Sequence, residues 1–169
     1  TRTSGARGIF TVADKEQFTK ARDHLQSLGE NSYFYQEIIP PGGLSCNASY
    51  LFDRGSGLLA WFMMEKIRQY PLWGGSTSYA RPRYDAKTLE NGRRLLEAMQ
   101  WVGVAEVEFI QDPRDGVVKL LEVNPRFWNP MLLAIRAGVE FPRLLIKAMD
   151  GAAMPQLQDF KKAVGYSFF

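Results

Sequence analysis

Glu106, Glu108, Glu122, Asn124 and Arg126 fall in two short runs, Ala105-Glu106-Val107-Glu108-Phe109 and Leu121-Glu122-Val123-Asn124-Pro125-Arg126. Between them lies Gln111-Asp112-Pro113-Arg114-Asp115-Gly116, a strong turn signal, so the runs read as a β-hairpin. Residues two apart on a strand share a face. Glu106 and Glu108 therefore point one way, and Glu122 and Asn124 point one way. Pairing Gln111 with Val117 sets Glu106 opposite Glu122 and Glu108 opposite Leu120; a shift of two residues sets Glu108 opposite Glu122 instead. Either register crowds carboxylates and an amide into one patch. Like charges opposed across strands are unfavourable unless a cation neutralises them. Oxygen ligands without His or Cys suit a hard ion such as Mg²⁺ or Mn²⁺. Arg126, two residues beyond Asn124, could reach a phosphate from the same rim. The competing reading is an edge hairpin kept soluble by its charges. Against it stands the Glu-x-Asn pair, a polar pattern ending an otherwise apolar strand.

Two weaker candidates accompany this hairpin. Ser4, Gly5, Ala6, Arg7 and Gly8 form a glycine-bearing opening whose backbone N–H groups could approach a phosphate, with Arg7 adding charge. Gln36, Glu37, Ile38 and Ile39 run as a strand into Pro40-Pro41-Gly42-Gly43. Other chemistries lack their residues. One cysteine, Cys46, excludes an internal disulfide and a Cys-rich zinc site. One histidine, His24, excludes multi-His metal sites and is read as a boundary or surface residue. No run of about 18 apolar residues occurs, and residues 1–8 have no apolar signal region, which together point to a cytoplasmic protein without a membrane partner. Thr1 at the start suggests a piece of something longer. Nucleic-acid binding through Arg81, Arg83, Arg93 and Arg94 would need exposed aromatics beside a basic groove. Most aromatics here lie in strand-like runs that read as core, and the net charge is only +3.

The elements that must position these groups are mixed. Of 169 residues, 46% are hydrophobic and 23% charged, enough for one domain with a core. Ile9 to Val12 reads as a short strand. Asp14 with Gln17 opens a helix whose Phe18, Ala21, Leu25 and Leu28 share a face and which Gly29 stops. Residues 33–39 read as a strand. Residues 44–52 and 58–68 flank Asp53-Arg54-Gly55-Ser56-Gly57 as a hairpin. Residues 69–83 show no clean period and read as a long loop. Residues 85–99 return to helical spacing with Leu89, Leu95, Leu96 and Met99 inward. Residues 130–137 and 142–149 make two short helices opened by prolines. The tail from Gly151 is weakly patterned. Antiparallel hairpins among helices argue for an α+β fold, an antiparallel sheet with packed helices.

Taken together these segments resemble the ATP-grasp superfamily, in particular its carboxylate–amine ligase and carbamoyl-phosphate-synthase-like branch. The resemblance rests most on Gly103-Val104-Ala105-Glu106-Val107-Glu108-Phe109 followed by Leu121-Glu122-Val123-Asn124-Pro125-Arg126-Phe127. Gln36-Glu37-Ile38-Ile39-Pro40, Arg68-Gln69-Tyr70-Pro71 with Gly74-Gly75-Ser76, and Leu133-Ala134-Ile135-Arg136-Ala137-Gly138-Val139-Glu140-Phe141-Pro142 support it. It implies the C-terminal lobe of the fold, with an ATP-grasp domain over residues 1–151 and a C-terminal extension over 152–169. It implies ATP and Mg²⁺ (or Mn²⁺) as cofactors. Glu108 would bind one metal ion, Glu122 would bridge two, Asn124 would be the amide ligand, and Arg126 would steady the transferring phosphoryl group. Residues 36–39 would hold adenine by their backbone, and residues 4–8 would close over the phosphates. The implied reaction activates a small-molecule carboxylate as an acyl phosphate for attack by an amine or similar nucleophile, forming a C–N type bond. A non-catalytic nucleotide-binding module of the same fold is the alternative. The resemblance leaves room for a homo-oligomer and implies that this piece alone is inactive. Two family features are not where the pattern puts them. The phosphate-holding lysines would lie upstream of Thr1, and Gly43-Leu44-Ser45-Cys46-Asn47 carries no acid for the ribose, the next carboxylate being Asp53.

Overall fold

The computed structural model describes residues 9–30, 32–70, 75–154 and 165–167. Among them the order is α1 (Lys15–Ser27), β1 (Ser45–Phe52), β2 (Leu58–Tyr70), β3 (Ser76–Pro82), α2 (Ala86–Ala98), β4 (Gly103–Gln111), β5 (Val118–Asn124), α3 (Met131–Ala137), α4 (Phe141–Met149) and β6 (Tyr166–Ser167). The six strands form one sheet, β5-β4-β1-β2-β3-β6, with every neighbouring pair antiparallel. The expected α+β class and antiparallel sheet are therefore observed. No helix among the described residues is long and apolar enough to cross a membrane.

β1 lies between β4 and β2, and Cys46 through Phe52 are all buried. Alternation along the strands sends side chains to two different cores. On one face Ala48, Tyr50, Phe52, Met63, Ala105, Val107 and Phe109 pack with Leu96 of α2. On the other, Leu51, Ala60, Phe62, Met64 and Ala80 meet Leu133, Ala134 and Phe141 of α3 and α4, with Trp128 set edge-on to Phe141 at 4.9 Å. Burying such apolar surface on both sides supplies the main driving force, roughly 25 cal/mol per Å² removed from water.

Local signals explain the helix ends. Asp14 caps α1 by accepting from the Gln17 N–H at 2.8 Å, and Gln17 Oε1 accepts from the Ala13 N–H at 3.1 Å. Asp85 caps α2 by accepting from the Thr88 N–H at 2.7 Å. Gly138 stops α3 with φ +104°, a left-handed conformation that favours glycine. At Gly92 the requirement is steric, since a Cβ there would lie 2.2 Å from Tyr50 Oη. That hydroxyl donates to the Leu89 carbonyl at 2.7 Å, so α2 rides directly on the Tyr50 ring.

Several expectations need correction. Residues 9–12 are not a strand, and residues 33–39 are extended without belonging to the sheet. Residues 69–83 are not one long loop: β2 continues to Tyr70 and β3 pairs with it. Register shifts between Lys66 and Arg68 and between Arg68 and Gln69 break the two-residue alternation that would have revealed those strands. Residues 71–74 lie outside the described residues. On α2 the buried line is Thr88, Gly92 and Leu96, whereas Met99 is 51% exposed, because it sits at the C-cap beyond the last helical turn. His24 is exposed, as expected, with its ring edge-on to Phe10 at 5.7 Å.

Candidate functional site

The face of the sheet covered by α3 and α4 is apolar only at one end. Toward the other end the same face carries Asn47 and Ser49 of β1, Lys66 of β2, Glu106 and Glu108 of β4, and Glu122 and Asn124 of β5. Strand pairing lines them up: Asn47 lies opposite Glu108, Ser49 opposite Glu106, Glu108 opposite Glu122 and Glu106 opposite Asn124. The hairpin thus adopts the second of the two registers considered. Gln111 pairs with Val118, one residue beyond Val117, and a bulge between Glu108 and Phe109 leaves Leu121 as an extra residue on β5. Those two single-residue shifts together make the shift of two.

A hydrogen-bond network joins the strip. Asn124 Nδ2 donates to Glu122 Oε1 at 3.0 Å and to Glu108 Oε1 at 3.2 Å. Lys66 Nζ donates to the other Glu108 oxygen at 2.8 Å, with only 9% of its side chain exposed. Arg126 Nη2 donates to Asn124 Oδ1 at 3.0 Å, and its Nη1 to the Phe127 carbonyl at 3.1 Å. Asn47 Nδ2 donates to Glu106 Oε1 at 2.9 Å. Glu108, Glu122, Asn124 and Arg126 are therefore brought together, and Glu106 is drawn aside toward β1. Burial, reinforced by the Glu108 charge, pushes the Glu106 carboxyl up to about 7.

The cation that the crowded carboxylates call for is partly supplied by the protein itself. Lys66 sits on Glu108, and among the described residues no group of three His, Cys, Asp or Glu is disposed around a common metal position. The candidate ligands on the strip, the Glu108 and Glu122 carboxylates and the Asn124 amide, nevertheless all carry oxygen and none is His or Cys. The strip also includes two buried atoms, Asn47 Oδ1 and Ser49 Oγ, with no hydrogen-bond partner among the described residues, and such atoms suit a ligand or ordered water. A hard cation at the exposed Glu122 end fits these residues.

Lys66, Asn47 and Ser49 were not singled out from sequence. Lys66 stands 42 residues from Glu108, and Asn47 stands 59 from Glu106, so no local spacing relates them. The one available signal was a lysine, together with Glu65, following the apolar run Leu-Leu-Ala-Trp-Phe-Met-Met of the same strand. Residues 36–39 lie outside the sheet, and no backbone–backbone hydrogen bond among the described residues involves them. Ser4, Gly5, Ala6, Arg7 and Gly8 lie outside the described residues.

Comparison with known proteins agrees with this architecture. A family profile described as ATP-grasp in the biosynthetic pathway with Ter operon matches residues 74–167. The C-terminal section of the carbamoyl phosphate synthase large chain from Methanopyrus kandleri is 22% identical over 162 residues, covering 92% of this chain and 30% of that protein. The chain thus spans about a third of that relative's length or less. Among solved structures, biotin carboxylase from Campylobacter jejuni, in a β,γ-ATP complex, superposes with a TM-score of 0.74 at 16% identity, covering 96% of this chain and 38% of that one. The biotin carboxylase domain of Hydrogenobacter thermophilus 2-oxoglutarate carboxylase, with MgADP and bicarbonate, gives 0.74 at 14% identity, again covering 96% and 38%.

Proposed function

The chain belongs to the ATP-grasp family found in the biosynthetic pathway with the Ter operon, and on that premise we propose that it is the C-terminal lobe of an ATP- and Mg²⁺-dependent carboxylate ligase. The observation that carries this reading is Glu108 opposite Glu122, with Asn124 bonded to both and Arg126 bonded to Asn124. Glu108, Glu122 and Asn124 would hold Mg²⁺, which when bound offsets charge on the β- and γ-phosphates. Arg126, its guanidinium oriented by Asn124 and the Phe127 carbonyl, would steady the transferring phosphoryl group. Lys66 would add a second fixed positive charge beside Glu108. The backbone groups of Gln36, Glu37, Ile38 and Ile39, which make no backbone–backbone hydrogen bond among the described residues, would hold the adenine, and residues 4–8 would close over the phosphates. A carboxylate substrate would take up the γ-phosphoryl group with release of ADP, and an amine or similar nucleophile would then displace phosphate from the acyl phosphate, giving a C–N type bond. Such catalysis rests on positioning and electrostatics, so no His or Cys is needed. Residues 1–151 would form the ATP-grasp part and 152–169 an extension, with the piece inactive by itself. One observation favours a second reading, a nucleotide-binding module without ligase activity: Lys66 already neutralises Glu108.

Calorimetric titration of ADP into the full-length protein, with and without Mg²⁺, tests the proposal. Binding is expected to require Mg²⁺ and to weaken at least about tenfold in Glu122→Ala. Metal-dependent binding that Glu122→Ala leaves unchanged refutes the metal assignment. Absence of ADP binding under every metal condition refutes both readings.

A further inference from the structure

We propose that Glu37, Arg114 and Asp112 form an ionic latch that positions residues 36–39, the proposed base-binding segment, against the hairpin carrying Glu108 and Glu122; the inference rests on the functional reading above. Residues 36–39 have no place in the sheet, and their backbone makes no backbone hydrogen bond among the described residues. Something else must set where they lie relative to β4 and β5. The tie is made 77 residues away, where Arg114 Nη2 donates to Glu37 Oε1 at 2.6 Å.

An exposed ion pair is usually worth little, because two long side chains must be ordered to make it. Here one side is ordered already. Asp112 is completely buried, and its Oδ1 accepts from the Arg114 backbone N–H at 3.0 Å and from Arg114 Nε at 2.9 Å. Its Oδ2 accepts from Arg114 Nη2 at 2.5 Å and from Lys119 Nζ at 2.7 Å. The guanidinium is thus forked onto a fixed carboxylate and offers Glu37 a preorganised partner. Lys119 Nζ, 3.8 Å from Glu37 Oε2, adds to the attraction. Six residues further along, the same stretch of chain is pinned again. Gln111 N–H donates to the Leu44 carbonyl at 2.8 Å, and a Cβ at Gly43 would sit 1.7 Å from the Gln111 carbonyl oxygen, so only glycine permits that approach. The segment is held on both sides of Pro40-Pro41 to the β4 end of the turn whose strands bear Glu108 and Glu122. Glu37 therefore acts as a positioning residue through its side chain, whatever its backbone binds.

Glu37→Gln is the clean test, because the residue is on the surface and its loss leaves Asp112 paired with Arg114 and Lys119. In the ligand-free chain, amide order parameters of residues 36–39 are expected to fall from the rigid range near about 0.85 toward about 0.6. In the full-length protein, MgADP affinity is expected to weaken about fivefold while affinity for magnesium pyrophosphate, which lacks the base, stays within about twofold. Unchanged order parameters overturn the latch. So does a fall in order parameters with MgADP affinity intact, or an equal loss for pyrophosphate. If the unmodified protein binds no ADP, the ligase reading fails by itself, and the order parameters still decide whether Glu37 holds the segment.

Discussion

Raising the pH from about 5 to about 7.5 is expected to destabilise the metal-free chain, and Glu106→Gln is expected to abolish that loss. Glu106 is 3% exposed, and burial together with the Glu108 charge raises its carboxyl from 4.5 to about 7. A carboxyl whose pKa is raised on folding binds more protons folded than unfolded between the two values. Stability therefore declines as pH rises through that window and levels off above the folded value. A shift of this size corresponds to roughly 3 kcal/mol in full, of which about 2 kcal/mol falls between pH 5 and 7.5. The other perturbed groups act outside this window. Glu37, held down chiefly by Arg114, and Asp85 and Glu90, held down by Thr88 and Arg93, lose their stabilising contribution only below the ordinary carboxylate range. Asp112, well below that range because Arg114 and Lys119 bond to it, does the same. The Cys46 thiol, pushed up to about 11 by burial, lies above the window. Urea denaturation in the presence of a chelator reads the effect. With a slope of about 1–3 kcal/mol per M, the midpoint should drop by about 1 M between the two pH values. Gln keeps the acceptor that Asn47 Nδ2 uses, so Glu106→Gln should hold its midpoint across the range. A midpoint in the unsubstituted chain that rises or stays level with pH, or a Gln variant with the same slope, would refute the burial argument.

Two further outcomes are expected. Gly92→Ala should destabilise by about 2–4 kcal/mol despite alanine's helix preference, since its Cβ would lie 2.2 Å from Tyr50 Oη and would break the bond to Leu89; denaturation measures it, and a loss under about 0.5 kcal/mol would show that α2 can lift off the sheet freely. Arg126→Ala in the full-length protein should, on the ligase reading, lower turnover by about a hundredfold or more while ADP affinity stays within about threefold; equal losses in both would make Arg126 a nucleotide-binding group instead.

The hairpins were legible in sequence because their turns are. Asp53 accepts the N–H groups of both Gly55 and Gly57 at 2.8 Å, and Asp112 accepts from the Arg114 N–H, so each turn closes on its own side chains. The start of α1 was legible for the same reason, through Asp14. β3 was not, because its ladder with β2 is interrupted twice and no period survives the interruptions. Residues 33–39 carry strand-like residues, Tyr33, Tyr35, Ile38 and Ile39, without a strand partner among the described residues. Tyr35 instead packs against Phe18 of α1 at 5.0 Å, so β propensity there reports a half-exposed extended chain and not a ladder. Parity placed Glu108 with Glu106, and Glu122 with Asn124, correctly; the bulge at Leu121 decided which of them face each other, and bulges leave little mark on composition.

The site's remaining members follow from sheet order more than from any motif. β1 is the strand that separates β4 from β2, and it turns Asn47 and Ser49 to the same face as Glu106 and Glu108. Because Ser45, opposite Lys66, is small, the lysine can reach past β1 and meet Glu108 on the far strand. A larger residue at Ser45 would stand between the ammonium and its partner. The Glu-x-Asn-Pro-Arg run thus provides the exposed edge, while the small and amide residues of β1 provide the floor that lets charges on three different strands compensate one another. That compensation explains how two opposed carboxylates persist on an edge hairpin: Asn124 bridges them, Lys66 neutralises one, and Arg126 anchors the bridge.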